Sequence, residues 1–279
     1  MRRPSLLLAL AALAALAAPF ATPAHAGETA NVRLVLAGVV DGRVDAGLAI
    51  DLPEGWKTYW RAPGDAGIPP SIETEASSGL TRPMVRFPTP ERFLEADLTA
   101  IGYTRSVVLP IDTALADPKR PGELDVHVMI GLCHDICVPF ETRVQAVIDP
   151  AAPRDGAAAA LLAAARARLP VAHRAGSTPA VESVAVEAGA EGPQAVVTVA
   201  MPEGDAAAHD LFVEGPTPDW ALPQPTRRGA GGARETWVFP VDGLPKGAAF
   251  AGAMLAFTIK AGDRAVEQSV RVDAGPVAP

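Results

Sequence analysis

This sequence predicts an all-β chain of two sandwich domains joined by an Ala-rich helical connector. Three observations predict it. Apolar and polar residues alternate with period two over short runs in both halves, and turn residues punctuate those runs. One stretch, Ala157 to Leu169 (AAAALLAAARARL), breaks the pattern with strong helix propensity. The 279 residues suit one large domain or two ordinary ones. The boundaries read as a leader over 1–26, a first domain over 27–150, a connector over 151–180 and a second domain over 181–279.

The leader comes first. Arg2 and Arg3 make a charged start, Leu6 to Ala18 an apolar run, and Ala24-His25-Ala26 a small-residue cleavage site, the pattern of a secretory signal peptide. The apolar run is shorter than the roughly 18 residues of a membrane span, and no cysteine follows it to carry a lipid. The expectation is an exported, soluble chain starting near Gly27, with no membrane-spanning segment after it. Loss of the two arginines takes the formal charge from -8 to -10. Lys and Arg are scattered, so no basic stripe is present and nucleic acid is excluded as a partner.

Residues 27–52 read as a β-hairpin: Val32, Leu34 and Leu36 alternate, Asp41-Gly42 turns, and Val44, Ala46, Leu48 and Ile50 alternate back. The stretch from Gly55 to Ser71 (GWKTYWRAPGDAGIPPS) holds three prolines and cannot be one regular element throughout. It reads as a structured loop packed down by Trp56, Tyr59 and Trp60. Met84 to Phe87 and Ser106 to Ile111 are short strand candidates. Between them Pro88 to Tyr103 reads as a long connection carrying Phe93, Leu94, Leu98 and Ile101, and loops of that length are more often functional than idle.

Next comes the segment that carries chemistry. Leu124, Val126, Val128, Ile130 and Leu132 alternate with Asp125, His127 and Met129, and Val144, Ala146 and Ile148 alternate after it. Period two on both flanks of a short polar segment predicts a hairpin, with Cys133 and Cys137 at or near its tip. There they lie close enough for a disulfide, whose Cα atoms are roughly 4.4–6.8 Å apart. In an oxidising compartment two thiols default to that bond. A staple gains stability mainly by closing a long loop, and this loop is very short. The pair therefore reads as a redox site on a β-scaffold.

Past Asp149 the composition turns to Pro and Ala. Asp155 is a plausible N-cap for the alanine-rich helix, which stops at Pro170. Residues 181–273 return to strands: Val181 to Val186, Ala195 to Val199, Leu211 to Val213 and Thr236 to Phe239. Phe257 and Ile259 then turn through Ala261-Gly262-Asp263 into Val266, Val270 and Val272. This half has no cysteine and no cluster of catalytic residues.

GWKTYWRAPGDAGIPPS, FPTPERF (Phe87–Phe93), IGYTRSVVLPI (Ile101–Ile111) and LCHDICVPFE (Leu132–Glu141) occur in that order. Together they resemble the N-terminal periplasmic domain of the DsbD-type protein-disulfide reductases, including the branch linked to suppression of copper sensitivity. The likeness spans roughly residues 30–150, and the second half resembles an additional domain of some relatives. It implies two immunoglobulin-like sandwiches, a periplasmic location and thiol-disulfide exchange as a protein-disulfide reductase. It also implies electrons received from a membrane-embedded partner and passed to a periplasmic thioredoxin-like oxidoreductase. The family usually fuses the module to a polytopic membrane domain and a thioredoxin-like domain, so the resemblance here implies a separate electron donor. By motif position Cys137 matches the attacking cysteine and Cys133 the resolving one. A loop covering the pair is placed within Glu95–Tyr103, so Leu98, Ile101 and Tyr103, with Tyr59, are the expected covering or modulating residues. The spacing of three residues between the cysteines is tighter than in the best-known members and like that of the copper-linked branch.

Exchange needs a thiolate, an accessible partner sulfur and a second thiol to resolve the mixed disulfide. His134 can stabilise a thiolate when protonated, and Asp135 works against it. Two other function classes remain open. Cys133, Cys137, His134 and Met129 are soft or borderline ligands suited to Cu(I), although no Met- or His-rich tract accompanies them. Otherwise no cofactor is implied. A binding module with an inert disulfide is the third reading. Neither Gly-x-Ser-x-Gly nor His-Glu-x-x-His occurs, which argues against a hydrolase.

Overall fold

The computed structural model describes residues 30–95, 98–202, 208–229 and 233–273, and the expected leader over 1–26 lies outside them. The described chain is all-β apart from a short helix. In the first half the strands are β1 (Asn31–Val40), β2 (Arg43–Asp51), β3 (Lys57–Gly64), β4 (Ser71–Glu73), β5 (Met84–Val85), β6 (Glu91–Glu95), β7 (Leu98–Tyr103), β8 (Val107–Ala114), β9 (Gly122–Cys133) and β10 (Cys137–Ile148). They make a sheet ordered β1-β2-β8-β5 and a second ordered β10-β9-β3-β7-β6, with β4 beside β9.

β1 and β2 form the expected hairpin. Asp41 (φ 51) and Gly42 (φ 76) both take the left-handed conformation that a two-residue type I′ turn demands. Alternation then fills the space between the sheets: Leu48, Ile50, Leu109 and Ile111 meet Leu124, Val126, Val128, Ile130 and Trp60 in one buried cluster. β10 keeps strict alternation along its length, as an edge strand with one wet face does.

Two loops expected from the sequence turn out to contain strands. Residues 57–64 form β3, strongly bulged, because Tyr59 pairs with Gly102 but Gly64 with Ala100. The proline-rich irregularity is confined to the bulge and to the residues before β4. The connection from Pro88 to Tyr103 contains the β6–β7 hairpin. Its strands are short and folded over other residues, so they lack the clean polar face that makes period two visible in sequence.

The helix α1 (Gly156–Ala167) starts as expected, with Asp155 Oδ1 accepting from the backbone N–H groups of Ala157 (2.8 Å) and Ala158 (3.0 Å). It does not stand free between the halves. Leu162 and Ala165 are buried, and Leu162 packs with Val35, Ala37 and Ala49 on the outer face of the first sheet. Gly47 makes room for it: a Cβ there would lie 2.6 Å from Leu162 Cδ2.

The second half contains β11 (Val171–Ala172), β12 (Ala180–Gly189), β13 (Gly192–Ala200), β14 (His209–Glu214), β15 (Thr226–Gly229), β16 (Arg234–Pro240), β17 (Met254–Ala261) and β18 (Arg264–Arg271). Its sheets run β11-β18-β17-β14 and β12-β13-β16-β15 around a separate cluster that includes Val197, Leu211, Phe239, Phe257 and Ile259. Each strand expected there is present, while β11 and β15 carry too few apolar residues to stand out. Phe212 leaves this half to join the first cluster, its ring 5.8 Å from that of Trp60.

Candidate functional site: a disulfide at a hairpin end under an aromatic cover

β9 and β10 pair without interruption from Gly122↔Ile148 to Cys133↔Cys137. The cysteines are therefore direct cross-strand partners, with Cα atoms 4.1 Å apart and a disulfide between them. His134, Asp135 and Ile136 close the hairpin, with His134 N–H donating to Ile136 C=O (3.2 Å).

The two sulfurs have different surroundings. Cys133 is fully buried, whereas Cys137 is exposed beside Ile136, which is 71 % exposed. Register explains the burial: Lys57 pairs with Cys133 and Thr58 with Leu132, so β3 runs along β9 and carries Tyr59 onto the sulfurs. The Tyr59 hydroxyl lies 2.7 Å from Cys133 Sγ and 3.2 Å from Cys137 Sγ. Sulfurs in a disulfide carry no hydrogen, so the hydroxyl is the donor. Burial first, and the Glu95 charge second, push the Tyr59 phenol up, so it keeps its proton at neutral pH.

Gly131 makes this approach possible. A Cβ there would sit 2.9 Å from Tyr59 Cε2 and 2.9 Å from Ile68 Cβ, so only glycine lets the ring lie on β9. Above the ring, Phe93 of β6 stacks on Tyr59 with centroids 6.3 Å apart and planes 22° from parallel. Lys57 Nζ sits 5.3 Å from the Phe93 centroid and 3.1 Å from Glu95 Oε2. Tyr59, Phe93, Ala100 and Cys133 thus form a small apolar cluster of their own, latched by one part-buried ion pair.

A groove of about 1120 Å³, lined by Arg61, Phe87, Met129 and Trp220 among others, contains neither cysteine.

Residues 27–149 match the family model described as "Thiol:disulfide interchange protein DsbD, N-terminal". The match covers under half of the chain and is to the DsbD N-terminal domain family. Its work is thiol-disulfide exchange, and a cysteine pair is present here. The fold is also similar to the crystal structure of the N-terminal periplasmic domain of ScsB from Proteus mirabilis. The TM-score is 0.68 at 20% identity, over 88% of this chain and 94% of that one. Among curated proteins nothing matches. Among the described residues no helix is long and apolar enough to cross a membrane.

Against this DsbD-type frame the sequence-predicted residues fall into two groups. Cys133, Cys137 and Tyr59 come together. His134 adjoins the pair, but its Nδ1 is 3.1 Å from Asp135 Oδ2 and its ring 5.8 Å from that of Trp56, so it is turned to the hairpin shoulder. Leu98 is half exposed at the start of β7. Ile101 and Tyr103 lie in the core of the first half, where the Tyr103 hydroxyl donates to Pro88 C=O (2.8 Å). Met129 is on the same strand face as Cys133, with Gly131 and the Tyr59 ring between them. Among the described residues no group of three His, Cys, Asp or Glu side chains is arranged to hold a metal ion. The part of the cover the sequence reading misses is Phe93 with its latch, Lys57 and Glu95. Phe93 stands in the FPTPERF motif beside the equally apolar Leu94, so no period-two signal marks it, and membership of that motif was the available clue.

Proposed function

We propose that this chain is an exported thiol-disulfide exchange protein of the periplasm. In this reading the Cys133–Cys137 pair takes reducing equivalents from a separate membrane-embedded donor and passes them to a thioredoxin-like oxidoreductase. Two immunoglobulin-like domains carry it: the DsbD-type domain with the docked helix, and a second sandwich beyond it. The observation that carries the reading is the asymmetry of the two cysteines: Cys137 is an exposed residue, whereas Cys133 is buried and its sulfur lies nearer the Tyr59 hydroxyl (2.7 against 3.2 Å).

The chemistry follows from that asymmetry. A donor thiolate attacks the accessible Cys137 Sγ, the Cys133–Cys137 bond breaks, and Cys133 leaves as a thiolate. Tyr59 is already donating to that sulfur, so the charge develops against a fixed donor. The donor's second thiolate then attacks the donor sulfur of the mixed disulfide and releases Cys137. Two electrons have entered, two protons complete the dithiol, and the donor leaves oxidised. Transfer to the client runs the same steps in reverse, with the Cys137 thiolate as nucleophile. Ile136, Leu98 and Leu94, all exposed, supply apolar surface for docking around the site.

Equilibration with glutathione, followed by mass-spectrometric counting of free thiols, tests this. A reduction potential between about -180 and -270 mV is expected of a working relay. A value below about -300 mV marks a structural disulfide and removes the proposal.

A further inference from the structure

The strands that cover Cys133 are held by the other half of the molecule. Arg61, two residues after Tyr59 on β3, donates through Nε to Glu214 Oε1 (2.6 Å) and through Nη2 to Glu214 Oε2 (2.7 Å) and Glu267 Oε2 (2.9 Å). Its guanidinium also lies 4.7 Å from the Trp60 ring centroid. Arg92, immediately before Phe93 on β6, donates through Nη2 to Asp210 Oδ1 (2.8 Å), Leu211 C=O (3.0 Å) and Pro225 C=O (2.9 Å). Both arginines and both principal carboxylates are less than a third exposed. Fork-shaped, charge-assisted pairs of this kind fix geometry as well as supplying energy.

These pairs sit where geometry can be passed on. Neighbouring residues on a strand point to opposite faces, so pinning Arg92 sets the rotation of β6 about its axis and with it the direction of Phe93. Pinning Trp60 against Phe212, and Arg61 against two glutamates, does the same for the bulged part of β3 that follows Tyr59. Pairing of β7 with β3 and the buried Ile101 and Tyr103 hold the base of the β6–β7 hairpin, so without these anchors the side-chain contacts that keep β6 over the sulfurs would be the Lys57–Glu95 pair and the Phe93 stack.

We infer that the second half is a brace for the redox site: Glu214, Glu267 and Asp210 act as positioning residues that keep the Tyr59–Phe93 cover closed over Cys133. The inference deepens the exchange reading and rests on it. Its consequence is selectivity between the two sulfurs, with Cys137 offered to partners and Cys133 withheld.

The test uses the full chain, chemically reduced, with brief iodoacetamide labelling and peptide mapping to give the ratio of Cys133 to Cys137 modification. In wild type the ratio is low. In Glu214→Gln/Glu267→Gln, and independently in Asp210→Asn, it should rise on the order of 5- to 30-fold, as expected when a local opening becomes easier. Global unfolding would also drive the ratio toward one, so the labelling is repeated at several low urea concentrations: a rise that is insensitive to urea reports local opening, while one that grows steeply with urea reports global unfolding and overturns the inference. Glu182→Gln removes an exposed pair with Arg234 in the same half and should change nothing. An unchanged ratio in both clamp variants, or an equal rise in Glu182→Gln, overturns the inference. Because labelling follows forced reduction, it reads the brace even if the potential measurement removes the relay.

Discussion

In the second half four large aromatics face inward. Trp237, Phe239, Phe250 and Phe257 are all buried in one cluster, with the Phe239 and Phe250 rings meeting edge to face at 6.0 Å. In the first half two consecutive aromatics on β3 divide the labour. Trp60 enters the core, and Tyr59, on the opposite face of the same strand, meets the sulfurs. The scaffolds are alike, so the chemistry comes from what one strand end presents. Burial alone does not separate the two uses, because both β3 aromatics are at most 2 % exposed. What separates them is what each ring touches.

That contrast sets three expectations. The largest effect belongs to a core aromatic of the second half. Phe239→Ala should cost about 3–5 kcal/mol of unfolding free energy, read by urea denaturation. While the protein stays folded it should leave the chemistry of Cys133 unaltered. A changed Cys133 reactivity at full foldedness would break the contrast. Tyr59→Phe should do the opposite. The ring still fills the space over Gly131, so stability changes little. Loss of the donor to the leaving sulfur should slow reduction by a dithiol roughly tenfold and raise the Cys133 pKa. Stopped-flow reduction and a pH titration of thiolate absorbance would read both.

The smallest effect lies on the outer face of β9. His127 Nε2 is 2.8 Å from Glu141 Oε1 and its Nδ1 is 3.5 Å from Glu73 Oε2, and these carboxylates raise its pKa above the ordinary 6.5. A raised pKa means the pairing stabilises the fold below the unfolded-state value and is lost as pH climbs through the folded one. His127→Gln should therefore lower the melting temperature slightly below about pH 6 and have no effect above about pH 8. Thermal melts at both ends check it, and exchange kinetics should not respond at either.

Much of this architecture was written in local pattern. The cysteine hairpin, the Asp41-Gly42 turn and the Asp155 cap each depend on residues within a few positions of one another, and each is present. Tyr59 was recognisable only through the motif around it, since its partners lie 74 and 78 residues away. The β6–β7 segment was legible as a long connection but not as a hairpin, and the covering loop was placed within Glu95–Tyr103, just past Phe93, whose ring stacks on Tyr59. The arginine clamps carried no signal at all. Arg61 and Glu214 are 153 residues apart, and a surface arginine looks the same in sequence whether or not another half awaits it.

The uninterrupted register from Gly122↔Ile148 to Cys133↔Cys137 has a further consequence. Strand pairing already sets the two thiols face to face, and the three residues between them keep their effective concentration high even in an unfolded chain. In the thermodynamic cycle linking folding to oxidation, the bond's contribution to stability is the ratio of those two effective concentrations. A loop this short closes at little entropic cost in the unfolded chain, so the part of the bond's stabilisation that comes from restricting that chain is small.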